Sequence, residues 1–190
     1  MSRRRGYHKS IVGDLGAQNV AQQRTGNVDY QSARQRIKSG HLLSWTHRGF
    51  SSFYDLQIQL VRAWTRSEHC HVGIAVRSRR RVYVIEAVRP LVRIFPLSLL
   101  VPFYHVPTPG IWSDEVADWL DDQVGKEYSR WQAVLAGVNK LKAGEDDRWQ
   151  CAELVQEAMW RLGVDCSGPP TPSNIVAQGM KAAGVLYPVE

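Results

Sequence analysis

At 190 residues, with 44% hydrophobic side chains, seven Trp and seven Tyr, the chain is long enough for one domain with a substantial core. That composition excludes a disordered chain, and no apolar run approaches the ~18 residues of a membrane span. A formal net charge of +6 and three irregularly spaced cysteines, Cys70, Cys151 and Cys166, exclude a disulfide scaffold and leave an anionic surface as a partner class.

Residues 1–30 are polar and rich in Gln, Asn and Gly, with Arg3, Arg4 and Arg5 at the start. They read as a basic arm outside the core, able to tie the chain to an anionic surface or a protein neighbour. The basic start runs into polar residues, so no signal peptide is expected and synthesis as a soluble cytoplasmic chain is the expectation. Action in a virion or a host envelope would then need delivery by something else. The remaining residues, 31–190, read as one domain.

A short helix is expected over Ser32–Lys38, stopped by Gly40, with a first strand at "HLLSW" (41–45). "FYDLQIQLVRAW" (53–64) places Leu56, Leu60, Ala63 and Trp64 near helical spacing. "HVGIAV" (71–76) and "RVYVIEAV" (81–88) are alternating, β-branched runs around a basic turn, which predicts a hairpin. Pro90 and Pro96 punctuate its exit, and "FYHV" (103–106) is the next strand.

Beyond Gly110 the spacing turns helical. Val116, Trp119, Leu120 and Val124 share one face from about Asp114, and Trp131, Val134, Leu135 and Val138 share another. "CAELVQEAMWRLG" sets Leu154, Val155, Ala158, Met159 and Leu162 on one stripe, with Gly163 as the stop. Strands in the middle and helices after them indicate an α+β fold with a central antiparallel sheet.

The stretch "SEHCHVGIAV" raises a chemical question. On a strand, His69 and His71 would point one way and Cys70 the other. A metal on the two histidines would need further ligands, such as His105 or Glu86, and neither H-E-x-x-H nor C-x-x-C is present, so no metal or cofactor is expected. His71 shares its face with Gly73 and Ala75, the smallest side chains of the strand, which leaves a shallow trough.

A loop at Ser78-Arg79, or over 77–80, would set His71 directly opposite Glu86. Glu86 stands in an otherwise apolar strand, and an imidazole partner would offset the cost of burying its carboxylate. The pair would fix the tautomer of His71 and make its other nitrogen a base.

Two cysteines compete as the nucleophile for such a base. Cys166 lies in "DCSG", the motif of NlpC-type cell-wall peptidases, but that group places Cys before His, and all six histidines here precede Cys166. Cys151 follows the polar stretch "EDDRWQ" and opens an amphipathic helix. There the unpaired first-turn N–H groups and the dipole would favour a thiolate and hold an oxyanion. Cys151 also falls on the apolar face of that helix, the position of a small core residue.

The order His71 in "HVGIAV", Glu86 in "VIEAV" and Cys151 in "WQCAELV" resembles the circularly permuted NlpC-type, papain-like hydrolases. That group includes a branch related to lecithin–retinol acyltransferases and a bacterial branch of uncharacterised hydrolases. "VGKEYSRW" is similar to the group's Gly-Lys-x-Tyr segment, and "PPTPSNIV" to its Thr-Pro element. The similarity spans about residues 38–176. The basic turn, "VNKLKAGEDDR" and the arm have no counterpart in it.

The resemblance implies a permuted papain-like fold and a thiol hydrolase or acyltransferase with Cys151 as nucleophile, His71 as base and Glu86 as its orienting partner. Tyr128 would line the site, and Gln150, beside the nucleophile, would serve the substrate or oxyanion. The expected substrate is a peptide amide, such as a peptidoglycan stem, with an acyl lipid second. A non-catalytic use of the same fold, for example as a phage virion or assembly component, is the alternative.

Overall fold

The computed structural model describes residues 27–46, 68–129 and 148–190. The helix expected over 53–64 and the apolar face Trp131–Val138 lie outside them.

The described residues form an α+β fold. Strands β1 (Leu42–Trp45), β2 (His71–Ser78), β3 (Arg81–Val88), β4 (Leu91–Pro96), β5 (Phe103–Val106) and β6 (Tyr187–Val189) make a six-stranded sheet in the order β4-β3-β2-β1-β5-β6. Every pairing between these strands is antiparallel. Four helices accompany it: α1 (Tyr30–Arg36), α2 (Asp114–Gln123), α3 (Cys151–Arg161) and α4 (Pro172–Ala183).

Alternation along β2 and β3 splits the apolar side chains between two cores. Val72, Ile74, Ile85 and Ala87 pack with Leu154, Val155, Ala158 and Met159 of α3 and Ile175 of α4. Ala75, Val82 and Val84 turn to the other side, against Ala33 and Ile37 of the α1 segment and Leu97. In the trough beside His71, the space at Gly73 is taken by Val84 and Glu86 of β3 and Ala75 packs with the α1 segment, while the nucleophile helix packs on the bulkier face.

Leu154, Val155 and Met159 are fully buried. At about 1.5–3 kcal/mol for each such side chain, they outweigh the ~1 kcal/mol of a helix cap, so packing fixes the position of α3. Gly163, at φ +77°, ends that helix as expected. Three hydrogen bonds from two glutamines then tie α3 to the chain that follows. Gln156 Nε2 donates to the carbonyls of Cys166 and Gly168, and Gln150 Nε2 donates to that of Pro170.

Several elements depart from expectation. Residues 27–30 belong to the fold: Val28 exchanges backbone hydrogen bonds with Pro188 and Glu190, and Asp29 caps α1. Val124 is the C-cap of α2, and at the helix end it turns outward, 37% exposed. Pro90 and Pro96 bracket a strand, β4, because both stand at its ends, where no ladder donor is needed. Helix α4, with Thr171 as N-cap and Pro172 in its first turn, and the short β6 complete the chain.

Candidate active site

The β2–β3 loop is Arg79-Arg80, one residue beyond the expected position. The ladder runs Ile74↔Ile85 to Ser78↔Arg81, so His71 does not lie directly opposite Glu86. A shift of two in register preserves parity, and the two side chains still share a face as diagonal neighbours. They meet: His71 Nε2 is 2.7 Å from Glu86 Oε2. Gly73 makes room for this contact, since a Cβ there would stand 3.4 Å from Glu86 Cβ and 2.5 Å from a Val84 methyl.

Glu86 is 2% exposed. Its second oxygen, Oε1, accepts from Arg93 Nε at 2.8 Å and Nη2 at 2.6 Å. Burial alone would raise this carboxyl, but the hydrogen bonds and charges of His71 and Arg93 outweigh it and hold it below its ordinary value. Arg93 stands directly across from Glu86 on β4. Reading "LVRIFP" as a strand paired through the Arg89-Pro90 turn would have found it, but its flanking prolines hide it.

Cys151 is the first residue of α3 and His71 the first of β2, so the two meet at the end of the sheet. Burial opposes charge on His71. Its hydrogen bonds to Cys151 and Glu86, and the charges of both, prevail and raise its pKa from 6.5 to about 10. With Nε2 occupied by Glu86, Nδ1 is the ring nitrogen left for the sulfur. The Trp45 ring lies 5.4 Å from that of His71 and is itself anchored by a 2.8 Å hydrogen bond from Nε1 to the Leu100 carbonyl. His71 retains 23% exposure and Cys151 7%, a narrow opening.

Gln150 is placed otherwise than as a free oxyanion donor. Its Oε1 accepts from the Ala152 N–H at 3.3 Å, capping α3, while Nε2 is engaged by Pro170. That cap removes one of the unpaired N–H groups of the first turn, and the N–H of Cys151 precedes the first intrahelical bond.

Tyr128 is bridged to Trp149, two residues before the cysteine, and its N–H donates to the Pro90 carbonyl at 2.9 Å. It lines a cavity of about 500 Å³ together with Arg89, Pro90, Glu127 and Arg148. Arg148 precedes Cys151 by three residues and Arg89 follows Glu86 by three, while the cavity lining includes none of Cys151, His71 and Glu86.

The other sulfur and imidazole groups go elsewhere. His69 lies ahead of β2, where strand alternation does not apply. Its Nδ1 is 3.0 Å from Ser44 Oγ, and Ser44 pairs with Val72, on the face away from His71. Cys70 donates its S–H to the Trp45 carbonyl at 3.3 Å. Cys166 is fully buried, and burial with the neighbouring Asp165 charge pushes its thiol up to about 11.

No family model and no curated protein matches the chain. Among solved structures, the chain is similar to one from Escherichia coli O157:H7 described as the metalloprotein yiiX, DUF1105. The two share 21% identity over 70% of this chain and 71% of that one, with a TM-score of 0.51. The likeness is one of fold. Among the described residues here, no three His, Cys, Asp or Glu side chains converge as a metal site would require.

Proposed function

We propose that the chain is a thiol hydrolase or acyltransferase of the permuted papain-like kind, acting through Cys151, His71 and Glu86. The observation that carries this reading is the continuous chain Arg93–Glu86–His71–Cys151, with the sulfur on the first residue of a helix. A proton held on an imidazole between a carboxylate and a thiolate is the resting arrangement of an activated cysteine.

In the reaction, His71 holds the proton of Cys151 and the thiolate attacks the substrate carbonyl. The C–S bond forms as the carbonyl π pair moves to oxygen. Backbone N–H groups at the start of α3, that of Cys151 first, stabilise the oxyanion. Collapse expels the amine or alkoxide, which takes the proton from His71, and leaves a thioester. Water or another acceptor then gives its proton to His71, attacks the thioester and releases the thiolate. Glu86 keeps the ring oriented throughout. The charged cavity beside Tyr128 favours a polar peptide amide as substrate, with an acyl ester second.

Iodoacetamide labelling followed by peptide mass spectrometry, between pH 5 and 8, tests the reading. Cys151 is expected to label at least tenfold faster than Cys70 at pH 6, and His71→Ala to abolish the difference. A Cys151 that labels like an ordinary thiol, unchanged by His71→Ala, would leave the fold with a non-catalytic use.

A further inference from the structure

We infer that the face carrying α1 and the tip of the β2–β3 hairpin is a docking surface for an anionic lipid bilayer. Arg77 joins the two elements: Nη1 donates to the carbonyls of Arg34 at 2.6 Å and Ile37 at 3.1 Å, and its N–H donates to Ser39 Oγ at 2.9 Å. This gathers Arg34, Arg36, Lys38, Arg77, Arg79 and Arg80 on one side of the sheet. None of the six forms an ion pair with the described residues. Six like charges with no counter-charge paired to them among the described residues repel one another, and an anionic partner relieves that repulsion.

The tip itself is chosen against its turn. Arg79 has φ +53°, and Arg80 has no positive φ. Two-residue hairpin loops with a positive φ at the first position favour glycine there. The chain instead places arginine, at a conformational cost that glycine would avoid.

An apolar protrusion selects lipid over a nucleic acid. Tyr30, first residue of α1, packs in the same cluster as Leu97 and Leu100, which sets the turn Leu97–Leu99 beside that helix. There Leu99 is 69% and Val101 41% exposed, one short helix length (~10 Å) from the basic cluster. Aliphatic side chains beside arginines suit the boundary between headgroups and acyl chains. Trp160, the exposed aromatic among the described residues, lies on α3, across the sheet, where it offers this face no base-stacking platform.

Co-sedimentation of the full chain with vesicles tests the inference, using phosphatidylcholine alone and with one quarter phosphatidylglycerol, in 0.1 and 0.5 M salt. Binding is expected to the anionic vesicles only and to weaken at high salt. The double substitution Arg79→Gly, Arg80→Ser gives the loop its preferred residues while removing two charges. At about fivefold per basic residue near a membrane, it is expected to weaken binding about 25-fold without lowering the thermal midpoint. Leu99→Ser is expected to weaken vesicle binding further and to leave heparin binding unchanged. Undiminished vesicle binding by the loop variant would overturn the docking face. A Leu99→Ser variant that binds vesicles as well as the parent chain would overturn lipid in favour of a soluble polyanion.

Discussion

Glu86 is held from both sides, by His71 on one oxygen and Arg93 on the other, while only 2% exposed. Removing either partner leaves a buried charge poorly compensated. Arg93→Met is expected to cost about 1–3 kcal/mol of stability, since Arg93 is itself partly solvated. It also removes one of the two charges that hold the Glu86 carboxyl down, so Glu86 protonates at a higher pH and its support of His71 is lost sooner as pH falls. The acid limb of Cys151 alkylation then moves to higher pH, and Arg93→Lys restores part of the shift. An unchanged alkylation profile in a folded Arg93→Met protein would remove Arg93 from the site's electrostatics. His71 and Glu86 were legible from the sequence because a polar residue in an apolar alternating run needs a partner. Arg93 was not, because partnership across strands depends on which strand lies beside β3.

At the scale of elements, the hairpin was legible and its register was not. Placing the loop one residue along moves every pairing by two, which keeps side chains on their faces but changes who stands opposite whom. The contact survives because Gly73 leaves the space between the strands open. Gly73→Ala would press a methyl group into Val84 and towards Glu86, both buried and unable to yield. A loss of about 1–3 kcal/mol is expected from such overpacking, measured by urea unfolding, together with slower Cys151 alkylation. Wild-type values for both would show that the strands part easily there. The nucleophile helix was legible from its spacing and its stop. Its placement on the face opposite the Gly73 trough was not, because alternation shows that two faces exist and is silent on which helix takes which.

Across the whole molecule, the loop after α1 and strand β5 are joined by a pair of buried imidazoles. His41 Nδ1 lies 2.8 Å from His105 Nε2 and also accepts the Lys38 N–H at 3.2 Å. Protonating His41 at Nδ1 would set donor against donor. Burial, then the Lys38 charge, lowers His41 to about 4; burial, then His41 and Arg36, lowers His105 to about 3. Both values lie below that of an unfolded histidine, so the pair stabilises fully above about pH 6.5 and loses that contribution as pH falls towards 4. Up to about 2 kcal/mol per ring should be gone at pH 5, and a His105→Phe variant should show a flatter pH dependence of its urea midpoint. Parallel curves for the two proteins would exclude the pair as the source. The sequence by itself determined the α+β class, the central hairpin, the helix that Cys151 opens and the need of Glu86 for a partner, because periodicity and buried charge are local properties. Only the tertiary structure decided the register, the Arg93 clamp, the commitment of Gln150 to its cap, the separation of His69 from His71 and the pairing of His41 with His105. Each of those depends on which surfaces meet when distant segments pack, and that is set by the whole core at once.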